Sequence, residues 1–180
     1  MAIKFKELRK YVSRVVRISI CFDDGSYDNY HLISDIPDGK YDDMYVLGVG
    51  KVDVEFPKDS YGPVINERKI RPNHYFIGCA LEIVLKENDR GFERKDNVVL
   101  RFGDLRNYLE LGKYISVSIK DEWVPDGYEL RNEIPEDYDN MRVYGIGIED
   151  FQKGFEIAKE FGLYDSHIAK RLCIVLEKEN

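Results

Sequence analysis

The chain has 180 residues, a formal net charge of −7, and 43% hydrophobic and 13% aromatic residues, which is ample material for a packed core. Its longest apolar runs, such as LCIVL, fall far short of the roughly 20 residues that a membrane helix needs, so a membrane span is excluded. Cys21, Cys79 and Cys173 are odd in number and lie inside apolar runs, and the charge-alternating MAIKFKELRKYVSR does not read as a secretory signal, so buried thiols in a cytoplasmic setting are expected.

The first predicted element is a short amphipathic helix, because Phe5, Leu8 and Val12 recur at helical spacing. A strand follows over Arg17–Phe22, then the turn cluster DDGSYDN, in which Gly25 can take positive φ, and a second strand resumes from Tyr30 to Ile33. Pro37 stops that strand, and Tyr41-Asp42-Asp43 supplies turn chemistry. In the next segment Met44, Val46, Gly48 and Gly50 alternate with Tyr45, Leu47 and Val49, so both faces are largely apolar and a central core strand is predicted. Its glycines are read as places of close approach by another segment, since no Gly-x-x-Gly continuation follows to make a phosphate cradle. Residues 56–78, with prolines at 57, 63 and 72, read as a long loop before the final strand ALEIVLKEN.

Beyond the charged stretch 89–99 the same order recurs. RFGDLRNYLELGKYISV (101–117) lies over KFKELRKYVSRVVRISI (4–20), so that Phe5, Leu8, Arg9, Tyr11, Ile18 and Ser19 meet Phe102, Leu105, Arg106, Tyr108, Ile115 and Ser116. IPEDYDNMRVYGIG (134–147) restates IPDGKYDDMYVLGVG (36–50), with Tyr128–Leu130 as the second hairpin strand, and RLCIVLEKEN restates the final strand. The copies part where the first has its loop, because DFQKGFEIAKEFGL places Phe151, Phe155, Ile157, Ala158 and Phe161 at helical spacing, which predicts an extra helix near 151–163. The expected fold is therefore α+β, a tandem duplication of a short helix plus antiparallel sheet, with units 1–88 and 100–180 related by a pseudo-two-fold and joined by linker 89–99.

Catalytic signatures are scarce. His31, His74 and His167 lack partners at metal-ligand spacing, no serine sits in Gly-x-Ser-x-Gly, and acid pairs such as Asp42 with Asp43 or Asp137 with Asp139 are ordinary solvated turn chemistry as much as Mg²⁺ ligands or an acid–base pair. No catalytic residue, metal or cofactor is expected. Charge says more. Residues 18–63 hold ten acids against three lysines and residues 120–150 hold ten acids against one lysine and two arginines, a local charge of −7 in each, whereas 4–17 is basic. Such fields steer association, and interleaved tyrosines suit interfaces. The candidate partner surface comprises Asp23, Asp24, Tyr41, Asp42, Asp43, Glu136, Asp137, Tyr138 and Asp139.

The stretch IKFKELRKYVSRVVRISICFDDGSYDNYHLISDIPDGKYDDMYV resembles phage and mobile-element type II anti-CRISPR proteins, which inhibit Cas9. The resemblance implies a non-enzymatic inhibitor in the cytoplasm of a bacterial host, binding a CRISPR-Cas effector nuclease loaded with guide RNA, where positively charged channels suit an acidic partner. It transfers no catalytic residue. The basic helix expected over 4–17 offers a surface for nucleic acid, and self-association is a further expectation. The alternatives are a phage or plasmid accessory protein with a structural or assembly role and, behind it, a carboxylate-metal hydrolase.

Overall fold

The computed structural model describes residues 2–13, 17–57, 75–87, 99–109, 114–122, 126–162 and 170–179. Helix α1 (Phe5–Leu8) buries Phe5 and Leu8 and passes through a 3₁₀ turn (Arg9–Tyr11) into extended backbone at Val12. The helical part of the basic stretch is thus shorter than 4–17, since Val12 is drawn into a β-bridge with Ile146. So short a helix is not stable alone and depends on the two side chains it buries. The Glu7 carboxylate accepts the Lys4 amide (3.1 Å) and satisfies one of the donors that a helix start leaves open.

Strands β1 (Ile18–Phe22) and β2 (Tyr27–Tyr30) form the first hairpin, closed by Gly25 at φ 83° and by Asp24, which accepts both the amide and the hydroxyl of Ser26. This tight turn starts the second strand at Tyr27, earlier than the expected Tyr30. The chain then crosses the sheet through a 3₁₀ turn (Ile33–Asp35), where Asp35 caps the Leu32 amide, and enters β3 (Tyr45–Pro57). Strand β4 (Tyr75–Lys86) completes the sheet.

The second copy repeats these steps with α2 (Phe102–Arg106), β5 (Ile115–Ile119), β6 (Asp126–Tyr128), a 3₁₀ turn (Arg131–Glu133) capped by Glu133, β7 (Arg142–Asp150), α3 (Gln152–Glu160) and β8 (Lys170–Glu177). Helix α3 falls where the extra helix was expected, and β6 ends at Tyr128 rather than running on to Leu130. Each copy thus forms a four-stranded sheet, β2-β1-β4-β3 and β6-β5-β8-β7, and the matched order is that of a duplicated unit. The described residues are mostly strand, with helix confined to α1, α2 and α3.

Four expectations are corrected. The sheets are mixed rather than antiparallel: β4 inserts between β1 and β3 and runs parallel to β1, as β8 does to β5. That insertion leaves the motif strands β3 and β7 at a sheet edge rather than in its centre. Their simple alternation also fails, because register shifts between Val46 and Gly48, and between Val143 and Gly145, mark a bulge in each copy. The extra residue lets Val46 and Val49 both face the core and turns Leu47 out to 50% exposure, as it does for Val143, Ile146 and Tyr144. The expected loop at 56–78 yields strand as far as Pro57 and again from Tyr75, while 58–74, and linker residues 89–98, lie outside the described residues.

The exposed edges are not left open. Val46 donates to the Ile3 carbonyl of its own copy (2.8 Å), while Val49 donates to Tyr108 of the other (2.7 Å); in return Ser13 of the first copy donates to Ile146 of the second (2.8 Å). These reciprocal bridges pair Val12 with Ile146 and Val49 with Leu109, next to the paired glycines. A β-carbon on Gly48 would meet Val84 of its own copy at 3.7 Å and the Tyr108 carbonyl at 3.8 Å, and one on Gly145 would meet the Tyr11 carbonyl at 3.9 Å, so the other copy does lie beside each glycine, but at ordinary contact distance and not so near that only glycine fits. One cluster of buried side chains, including Phe5, Leu8, Ile20, Ile83, Phe102, Leu105, Val117 and Ile174, runs through both sheets, so the copies share a single core.

Candidate functional site

The repeated Leu-Arg of the opening helices is what holds each crossing segment. Arg9 donates to the carbonyls of Ile33 (3.4 Å) and Ile36 (2.7 Å) and lies 3.3 Å from Asp38 and 3.8 Å from Asp42. Its counterpart Arg106 donates to Arg131 (3.1 Å), Ile134 (2.7 Å), Pro135 (2.8 Å) and the Asp139 carboxylate (2.7 Å). The guanidinium fork suits this work, because it meets several carbonyls and a carboxylate in one plane. Sequence reasoning missed both arginines as anchors, although an arginine matched in the two copies beside buried Phe5 and Phe102 was the available signal.

A second repeated constellation joins hairpin to crossing segment. In the first copy Tyr41 donates to Asp28 in a very short hydrogen bond, the Tyr30 and Tyr41 hydroxyls lie 2.8 Å apart, and Lys40 donates to Asp28 and to Tyr30, both at 2.9 Å. The Lys40 ammonium also stands 4.8 Å from the centre of the Tyr41 ring and 5.6 Å from that of Tyr30. The hydrogen bonds from Tyr41 and Lys40 hold the Asp28 carboxyl below the usual carboxylate range, and burial raises the Tyr41 phenol. In the second copy Tyr138 donates to Asp126 (2.9 Å), with Tyr128 beside both, and burial raises both phenols.

The nine candidate surface residues divide on this geometry. Tyr41 is 4% exposed and edge-on to Phe5, so it belongs to the core and presents nothing to a partner; Tyr138 is partly buried in the matching place. Asp42 and Asp139 are half-buried beside Arg9 and Arg106. Asp24 is exposed but serves its own turn, and Asp43 is 82% exposed with Lys4 at 3.1 Å. Asp23, Glu136 and Asp137 are exposed and, among the described residues, make no ion pair. Lys4 and Arg9 of the basic stretch turn to these acids of their own copy, whereas Lys10 is exposed.

The far face of each sheet brings together side chains that sequence could not pair. Cys21 lies 3.6 Å from Ser19 and 3.7 Å from Glu82, and Cys173 neighbours Ser116 and Glu149. Burial, followed by the Glu149 charge, pushes the Cys173 thiol up to about 12, and burial likewise raises Cys21, which is the reverse of what a thiolate nucleophile needs. A depression of about 160 Å³ is lined by Tyr114, Gly127, Glu129, Phe151 and Arg171, below the roughly 300–1,000 Å³ of ordinary small-molecule sites. Its arginine is already engaged by Glu149 at 2.6 Å and lies over the Phe151 ring. Among the described residues no three His, Cys, Asp or Glu side chains gather as a metal site, and no helix is long and apolar enough to cross a membrane. Set against known proteins, the chain matches no family model, no curated protein and no solved structure.

Proposed function

We propose that this chain is a binding protein that engages a basic partner through the exposed acids of its two copies. The observation that carries the reading is the division among the acids: Asp42 and Asp139 are held by arginines of their own copy, whereas Asp23, Glu136 and Asp137 project without an ion pair among the described residues. Unpaired exposed acids keep their field for a partner. We read each copy as an α+β unit and the reciprocal contacts as those of an approximate two-fold, which presents the two acidic turn regions as a pair. The sequence resemblance supplies the partner: a guide-loaded Cas9-like nuclease in the cytoplasm of a bacterial host, with DNA binding or cleavage blocked by occupation of a basic channel.

The test is DNA cleavage by guide-loaded nucleases in the presence of the wild type or of a variant carrying Asp23→Lys, Glu136→Lys and Asp137→Lys. The variant spares the anchored acids, so circular dichroism should show an unchanged fold, and inhibition should be lost. Equal inhibition by the variant removes the acidic-surface mechanism. No inhibition by the wild type across several nucleases favours the second reading, a structural or assembly role. Phe161 at 70% and Ile157 at 44% exposure, on and just after α3, favour that role, and sedimentation of a concentrated sample decides it by self-association.

A further inference from the structure

The two tyrosine–aspartate clusters are built from matched residues, Asp28, Tyr30 and Tyr41 in one and Asp126, Tyr128 and Tyr138 in the other, but they differ in the residue before the second tyrosine. In the first copy that residue is Lys40, whose ammonium spans the cluster: 2.9 Å to the Asp28 carboxylate, 2.9 Å to the Tyr30 hydroxyl and 4.8 Å to the Tyr41 ring centre. The first copy therefore displays what the cluster is shaped to hold, a primary ammonium received by one carboxylate, one phenolic oxygen and one neighbouring ring. In the second copy the corresponding residue is Asp137, the turn is one residue shorter, and the acid adds charge where the lysine removed it. The cluster itself persists, with Tyr138 donating to Asp126 at 2.9 Å. Tyr138 is also more open than Tyr41, which lies 4% exposed beneath its lysine.

We propose that the Asp126–Tyr128–Tyr138 cluster receives a primary ammonium group, the side chain of a lysine on a protein partner, in the position that Lys40 fills in the first copy. The neighbouring Glu136 and Asp137 are exposed acids that raise the local concentration of cations and disfavour anions. The proposal deepens the reading of the chain as a binder of basic partners and rests on it only for the macromolecular source of the lysine. A primary ammonium, compact and with three donors, matches the single carboxylate and hydroxyl better than a planar guanidinium does.

The probe is Nα-acetyl-lysine methylamide, titrated into the full chain while the ring resonances of Tyr128 and Tyr138 are followed by NMR, with the norleucine and arginine analogues as controls. Saturable shifts at Tyr128 and Tyr138 with the lysine probe, absent with norleucine and weaker with arginine, are expected. Tyr30 and Tyr41 should stay still until Lys40→Ala opens the first cluster to the same probe. Asp126→Asn keeps an acceptor for Tyr138 and should weaken binding by about tenfold or more, since it removes the charge-assisted contact. Asp137→Lys supplies an internal ammonium and should abolish the response. No saturable shift in the wild type, an equal shift with norleucine, or a response unchanged in Asp126→Asn overturns the proposal. The titration contains no nuclease, so a positive result beside a failed cleavage assay removes the nuclease and keeps the cluster, and the opposite pair does the reverse.

Discussion

Lys40 stands before the buried tyrosine of the first copy, and Asp137 stands before its counterpart in the second. Around that difference the copies agree: an arginine from the opening helix binds the crossing segment, an aspartate of the second hairpin strand takes the hydroxyl of the crossing tyrosine, and an acid caps the 3₁₀ turn. What is repeated builds the sheet and its cover. What is not repeated, Asp23 and the Lys40/Asp137 exchange, is where the surfaces diverge, so the unmatched positions are the better guide to binding.

The comparison breaks first at the shared core. Phe5→Ala and Phe102→Ala each remove a fully buried ring and should cost about 3–5 kcal/mol. Because one buried cluster spans both copies, either change should shift the whole denaturant transition, and loss of only half of it would show that the copies unfold separately. Next come the anchors. Arg106→Ala strands several carbonyls and the Asp139 carboxylate and should cost about 2–4 kcal/mol. Arg9→Ala should cost less, since its acids lie at 3.3 and 3.8 Å and Asp38 is fully exposed; equal midpoints for the two variants would contradict the difference in geometry.

The glycines give a smaller effect. A β-carbon at Gly48 finds ordinary contacts at 3.7–3.9 Å, so Gly48→Ala should leave the melting temperature nearly unchanged. Gly48→Val pushes γ-methyls towards Val84 and Tyr108 and should cost about 1–3 kcal/mol. The smallest effect is one of pH. Asp28 has a lowered pKa in the folded state, so its contribution is present above the unfolded value of about 3.9 and fades as pH falls through the folded value. The gap in midpoint between wild type and Asp28→Asn should therefore be constant near neutrality and close in acid; a gap that widens in acid would reverse the sign.

Much of this was legible in the sequence, for stated physical reasons. Matched Phe, Leu and Ile positions exposed the duplication and Gly25 exposed the hairpin, whereas the paired Gly-x-Gly marked strands that lie beside the other copy without contacts tight enough to demand glycine. Strand order was not legible, because alternation reports which face a side chain takes and says nothing of which strand inserts beside it. The bulges at Leu47 and Tyr144 defeated the alternation itself, since one extra residue swaps faces without any mark in composition. Tyr41, Asp42 and Asp139 looked like surface because turns rich in acid usually are, yet they sit against Phe5, Arg9 and Arg106, residues more than thirty positions away. Arg9 and Arg106 read as ordinary helix charges for the same reason.

The central claim is that neither copy is complete without the other, and separate fragments test it most directly. Residues 1–88 and 100–180, produced apart and followed by far-ultraviolet circular dichroism and amide exchange, should each be largely unfolded, because each lacks half of one core and the bridging segment that covers its β3 or β7 edge. Mixed in equal amounts they should fold and protect the amides of Val49 and Ser13, which bond across the copies. A single fragment that folds alone with protected edge amides and gains nothing on mixing would contradict the account.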